Sequence, residues 1–113
     1  ANDLIVSGGY NIYPAEIENV IADHPQVIAA AVFGIPHEKW GETPLALVVV
    51  APGVELLEQD IVDLVSRRIG SFKKPSKVVF PTDPLPLSNV GKVLRSKLRE
   101  PYWSGHISRI SGA

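Results

Sequence analysis

The chain contains no cysteine and no methionine in 113 residues. Without cysteine there is no disulfide framework, no thiolate nucleophile and no sulfur-ligated metal site. Its histidines, His24, His37 and His106, lie far apart, with none of the short spacings of a zinc site. An excess of charge is also missing. Eleven basic and twelve acidic residues leave a net charge of -1 and a pI near 6.3. The domain as a whole therefore does not attract nucleic acid, and any basic site must be local. No run approaches the roughly 20 apolar residues that span a bilayer, and no signal peptide opens the chain. The composition fits the cytoplasm, with peripheral membrane contact of a longer protein left open. No Ser-His-Asp set, paired-carboxylate site or Gly-Lys-Ser/Thr phosphate loop emerges, so nothing here points to chemistry done by this chain alone.

What is present is an ordinary globular composition, 45% hydrophobic and 20% charged, sized for one domain with one core. The sequence opens at Ala1 and is already strand-like by Leu4-Ile5-Val6, as expected of a piece of something longer. "DLIVSGGYNIYP" places two short strands around a glycine turn. Pro14 then opens "PAEIENVIADH", a helix with Glu16 and Glu18 near its positive end and a stripe of Ile17, Val20 and Ile21. "VIAAAVFGIP" and "PLALVVVAPG" are continuous apolar runs, expected as strands covered on both faces. "LEQDIVDLVSRRIGSF" is a helix with Ile61, Leu64, Val65 and Ile69 on one face and Gly70 at its end. "SKVVFPTD" is a further strand, followed by a last helix that Pro101 is expected to stop. The order β-β-α-β-β-α-β-α predicts an α+β domain over 1–103: a small mixed sheet flanked by helices, with a short N-terminal hairpin. Residues 104–113 are expected to form a loose polar tail.

Three polar islands stand out. In "SGGYNIYPAEIE", Gly8 and Gly9 let the backbone turn sharply and approach a ligand, although read alone they are a hairpin turn. In "GSFKKPSKVVF", Lys73, Lys74 and Lys77 cluster beside Phe72. This suits a nucleotide phosphate with a base to stack, or simply a solvated turn. In "LPLSNVGKVLRSKLRE", Lys92 sits where a basic helix begins, although the helix dipole mildly disfavours a cation there. "HEKWGE" adds Trp40, either a lid over the local core or a binding residue.

The order and spacing of "DLIVSGGYNIYPAEIE", "GIPHEKWGE", "SFKKPSKVVF" and "LPLSNVGKVLRSKLRE" resemble the C-terminal domain of adenylate-forming enzymes. Within that superfamily the chain looks most like the acyl-CoA ligases of the fatty-acid type. The resemblance implies a carboxylic acid activated with ATP and Mg2+ to an acyl-adenylate. The domain then rotates about a hinge and CoA attacks to form the thioester. It implies that Lys92 is the adenylation lysine. Ser7, Gly8, Gly9 and Tyr10 would wall the pantetheine tunnel. Phe72, Lys73 and Lys74 would meet the CoA nucleotide, with Trp40 as a neighbour. Ser76 stands where many relatives carry a basic residue. Asn2, directly before Asp3, stands at the hinge, where the family usually has Asp or Lys. The phosphate loop, adenine site and acid pocket would lie in a large N-terminal adenylation domain, the chain's expected partner, and these residues alone would be inactive. Two alternatives stay open: a carrier-protein acceptor in place of CoA, and a non-catalytic adaptor of the same fold.

Overall fold

A computed structural model describes residues 4–83, 85 and 95–104 of the chain. Gly8 and Gly9 have φ of +56° and +87°, a region where a Cβ is penalised and glycine is not. They fold β1 (Ile5–Ser7) back onto β2 (Tyr10–Ile12), pairing Ile5 with Ile12 and Ser7 with Tyr10. Pro14 opens α1 (Pro14–Ala22), whose Ile17, Val20 and Ile21 are buried. β3 (Val27–His37) and β4 (Gly41–Val50) pair antiparallel along almost their whole length, from Val27 opposite Val50 to His37 opposite Gly41. α2 (Glu58–Ile69) begins where the Asp60 carboxylate accepts the Leu57 N–H at 2.9 Å, satisfying a donor the helix itself cannot. A 3-10 turn at Ser71–Lys73 leads to β5 (Lys77–Val79), and α3 (Arg95–Trp103) closes the fold.

The sheet has five strands in the order β2-β1-β4-β3, with β5 joining β4 in parallel. It is therefore mixed, and the hairpin, sheet and flanking helices form the expected α+β architecture. Strand side chains alternate between faces. Val32, Ala46 and Val48 pack with Ile17, Ile21, Ile61 and Val65 of α1 and α2. Phe33, Leu45 and Leu47 pack with Leu98 and Tyr102 of α3 on the other face. Covered on both sides, β3 and β4 need no alternation of polar residues, which is why they read as unbroken apolar runs. Among the described residues no helix is long and apolar enough to cross a membrane.

Two local expectations change. Pro101 does not stop the last helix but lies inside it. Its missing N–H falls in the final turn, and the residues beyond are held by packing. The Tyr102 ring lies 5.6 Å from that of Phe33, and the Trp103 indole N–H donates to the Gly34 carbonyl at 2.7 Å. The strand expected to begin at Pro44 begins instead at Gly41 and carries Pro44 in its middle.

Pro44 is tolerated because of where β4 changes neighbours. On the flank opposite β3, β4 meets β1 at a single pair, Ser7 with Gly41, and meets β5 only from Leu45 onward. The Pro44 carbonyl accepts the Ser76 N–H at 3.0 Å on that flank, so the proline nitrogen faces the same way and leaves no donor to satisfy. The sheet is open there. Nearby, the Glu42 carboxylate accepts the Val6 N–H at 3.0 Å, so a side chain does the work of a missing ladder bond.

Candidate functional site

The opening between β1 and β5 is a pocket of about 340 Å³, within the usual size of small-ligand sites. Thr43 and Pro44 of β4 lie at its base. Ser7, Gly8 and Tyr10 of the hairpin, Trp40 of the β3–β4 turn, and Ser71, Phe72, Lys74 and Ser76 complete the lining. Three stretches far apart in sequence thus converge.

Each wall has a local cause. The Gly8 N–H donates to the Trp40 carbonyl at 3.0 Å, and a Cβ built on Gly8 would lie 3.4 Å from Trp40 Cδ1. Glycine is needed here twice, for its positive φ and for the closeness of the indole. Trp40 also stacks on His37, with centroids 4.5 Å apart and planes 9° apart, and the Lys39 ammonium lies 5.8 Å from the Trp40 ring. Gly70 ends α2 with φ of +107°, and a Cβ there would come within 3.1 Å of Phe72 Cε1. The bare backbone lets the Phe72 ring fold back to meet Tyr10 at 4.9 Å. Tyr10, Trp40 and Phe72 remain 58%, 44% and 51% exposed. Three half-open aromatic faces around one cavity are what a flat or thin apolar ligand can exploit.

The polar groups are few and distinct. Buried Thr43 donates its hydroxyl to Ser76 at 2.9 Å. Ser76 is thus bonded to the pocket base and brings no charge of its own. Lys74 lines the pocket and has no acidic partner among the described residues. Lys73 differs: its ammonium pairs with Glu16 at 2.8 Å and lies 5.4 Å from the Phe72 ring. It therefore ties the 3-10 turn to α1 rather than lining the pocket.

Of the residues singled out in the sequence, Ser7, Gly8, Tyr10, Trp40, Phe72 and Lys74 line one cavity, whereas Gly9 and Lys73 are not among its lining residues. Thr43, Pro44 and Ser71 are additions that no local motif marks. Lys92, Asn2 and Asp3 lie outside the described residues, as do residues 105–113 of the tail. Among the described residues no group of three or more His, Asp or Glu side chains could hold a metal ion.

A second arrangement anchors α3. Glu18 accepts the Val32 N–H at 2.8 Å with Oε2. The same carboxylate receives Arg95, from Nε to Oε2 at 2.8 Å and from a terminal guanidinium nitrogen to Oε1. This two-point pair ties α1, β3 and α3 together at the first residue of α3.

The family described as AMP-binding enzyme C-terminal domain matches residues 16–92. Over 100 residues the chain is 48% identical to long-chain-fatty-acid–CoA ligase FadD13 of Mycobacterium tuberculosis, covering 88% of this chain and 20% of the ligase. It is 40% identical over 109 residues to fatty acid–[acyl-carrier-protein] ligase ScoC of Streptomyces coeruleorubidus, covering 96% of this chain and 21% of that protein. Among solved structures it resembles a Mycobacterium tuberculosis fatty acyl CoA synthetase with a TM-score of 0.82 and 45% identity, over 92% of this chain and 20% of that one. The chain spans about one fifth of the length of the curated relatives it matches.

Proposed function

This chain belongs to the family of AMP-binding enzyme C-terminal domains, and from that premise we propose that it is the mobile C-terminal domain of an ATP-dependent carboxylic acid:CoA ligase, acting on fatty acids. The observation that carries the proposal is the meeting of Ser7, Gly8, Tyr10, Trp40, Phe72 and Lys74 around one cavity. Lys74 supplies a cation for a phosphate, and the exposed rings of Phe72 and Trp40 supply faces for an adenine. The side-chain-free turn at Gly8 lets a thin thiol-bearing arm pass close to the backbone. These are the groups needed to hold CoA while its thiolate attacks an acyl-adenylate bound by the large domain. The carbon–sulfur bond forms as the carbon–oxygen bond to AMP breaks. In the preceding half-reaction Lys92 meets the carboxylate and phosphate oxygens, where charge builds as pyrophosphate leaves. ATP and Mg2+ belong to the adenylating domain.

CoA binding tests the pocket. Trp40→Ala lowers CoA affinity roughly tenfold, as expected from one lost stacking contact of about 1–3 kcal/mol. Lys74→Ala lowers it about fivefold at low salt, near 1 kcal/mol for an exposed charge contact, and by less at high salt because such contacts are screened. Isothermal titration at two ionic strengths reads both. An affinity indifferent to salt, Lys74 and Trp40 places the nucleotide elsewhere. The similarity to ScoC, named for an acyl-carrier-protein substrate, favours a second reading in which a carrier's phosphopantetheine enters the same pocket. Thioester formation with carrier protein but not with CoA decides for it.

A further inference from the structure

We infer that His37 is the positioning residue for the Trp40 wall of this pocket; the consequence for CoA rests on the proposed acceptor reading, but the positioning itself does not. His37 closes β3, and its Nδ1 accepts two backbone N–H groups of the following turn, Lys39 and Trp40, each at 3.1 Å. A ring nitrogen accepts only while it is unprotonated, so this geometry requires the neutral tautomer with its proton on Nε2. The turn is thereby clipped to its own first side chain, as an Asn or Asp side chain does in an Asx-turn.

The same imidazole stacks almost parallel on the Trp40 ring at 4.5 Å. Trp40 is thus fixed by its N–H to His37, by its carbonyl to the Gly8 N–H, and by its indole between His37 and the hairpin turn. Without the clip, a half-exposed indole on a three-residue turn has many rotamers to sample, and a binding face that must be ordered by the ligand costs affinity. A proton on Nδ1 would set one donor against two others and break both bonds at once. Among the described residues the charged groups around the turn are Glu38, Lys39, Glu42 and, across the pocket, Lys74; none substitutes for the lost acceptor in the hydrogen bonds described.

Nitrogen-15 NMR of the chain, paired with CoA titration, tests this. His37→Ala should shift the Lys39 and Trp40 amides and the Trp40 indole N–H, remove the amides' exchange protection, and weaken CoA about tenfold, as far as Trp40→Ala does. The double variant should be no weaker than Trp40→Ala alone, because the two residues act as one unit. His37→Asn, whose Oδ1 can accept the same two N–H groups, should restore the protection and most of the affinity. Lys39 and Trp40 amides unchanged in His37→Ala, or equally disturbed in His37→Asn and His37→Ala, would overturn the inference. If His37→Ala unseats the turn while Trp40→Ala leaves CoA binding untouched, the positioning stands and the acceptor reading of the pocket falls.

Discussion

Lys92→Ala, made in a longer protein that joins this chain to the proposed adenylating domain, should slow acyl-adenylate formation by about 10²–10³-fold, the usual loss when one contact to a charge-stabilised transition state is removed. The same variant should convert a supplied acyl-adenylate to the thioester at close to the normal rate. The two halves separate because Lys92 and the aromatic pocket are proposed to serve the large domain in turn. On that proposal, whichever is presented, the other is turned away. A lysine suits this duty: a point charge on a flexible stem needs no fixed geometry on arrival, unlike the planar fork of arginine. Asn2→Pro stiffens the proposed hinge and should have the opposite profile, sparing adenylation and blocking thioester formation. Half-reaction assays on both variants read the result. Equal damage to both halves by Lys92→Ala would mean that the lysine is structural or that the domain does not rotate.

Arg95→Ala should cost the fold roughly 3 kcal/mol, at the lower end of the cost of breaking a buried ion pair. The Glu18 and Arg95 side chains are only 16% and 25% exposed, so removing the guanidinium leaves a carboxylate largely out of water with the Val32 N–H as its remaining described partner. The asymmetry of such pairs gives the control. Glu18→Gln in the Arg95→Ala background should recover a substantial part of the loss, because a neutral amide oxygen still accepts from Val32 and no charge is stranded. Chemical denaturation of the single and double variants measures this. A double variant as unstable as the sum of the singles would mean that the two side chains contribute separately. Arg95 lies three residues after Lys92 in the sequence, so the stability of this anchor also bears on the role proposed for that lysine.

The parts of the fold legible in the sequence are those with a local cause. Gly8-Gly9 gave the hairpin because a two-residue turn with positive φ at both positions calls for glycine. The runs from Val27 and from Pro44 gave strands because β-branched residues without polar alternation suit a sheet covered on both faces. Long-range partners were not legible. Pro101 reads as a stop until Phe33 and Gly34 are found beneath Tyr102 and Trp103. Glu16 and Glu18 read alike as acids favouring a helix start. Folding gives one to Lys73 and the other to Arg95 and Val32. The site was half legible. Aromatic and basic residues announced themselves, and the four-block resemblance collected them, but Thr43 and Pro44 became part of it only once β1 and β5 were seen to share one flank of β4. His37 gave no local sign of its role, since a histidine in a charged loop reads as solvated. Its proximity to Trp40, three residues on, was the one available hint.

A sheet flank left open for a ligand is also a template on which another chain could pair. In β4 the opening is short, bounded by Gly41 paired to Ser7 and Leu45 paired to Lys77. Within it, Glu42 turns its carboxylate to Val6 and Pro44 has no N–H to offer. An invading strand would find one donor missing and a negative charge beside the gap. The proline in the pocket lining therefore also makes this flank a poorer template for pairing, so that access for a small molecule does not readily become access for a second sheet.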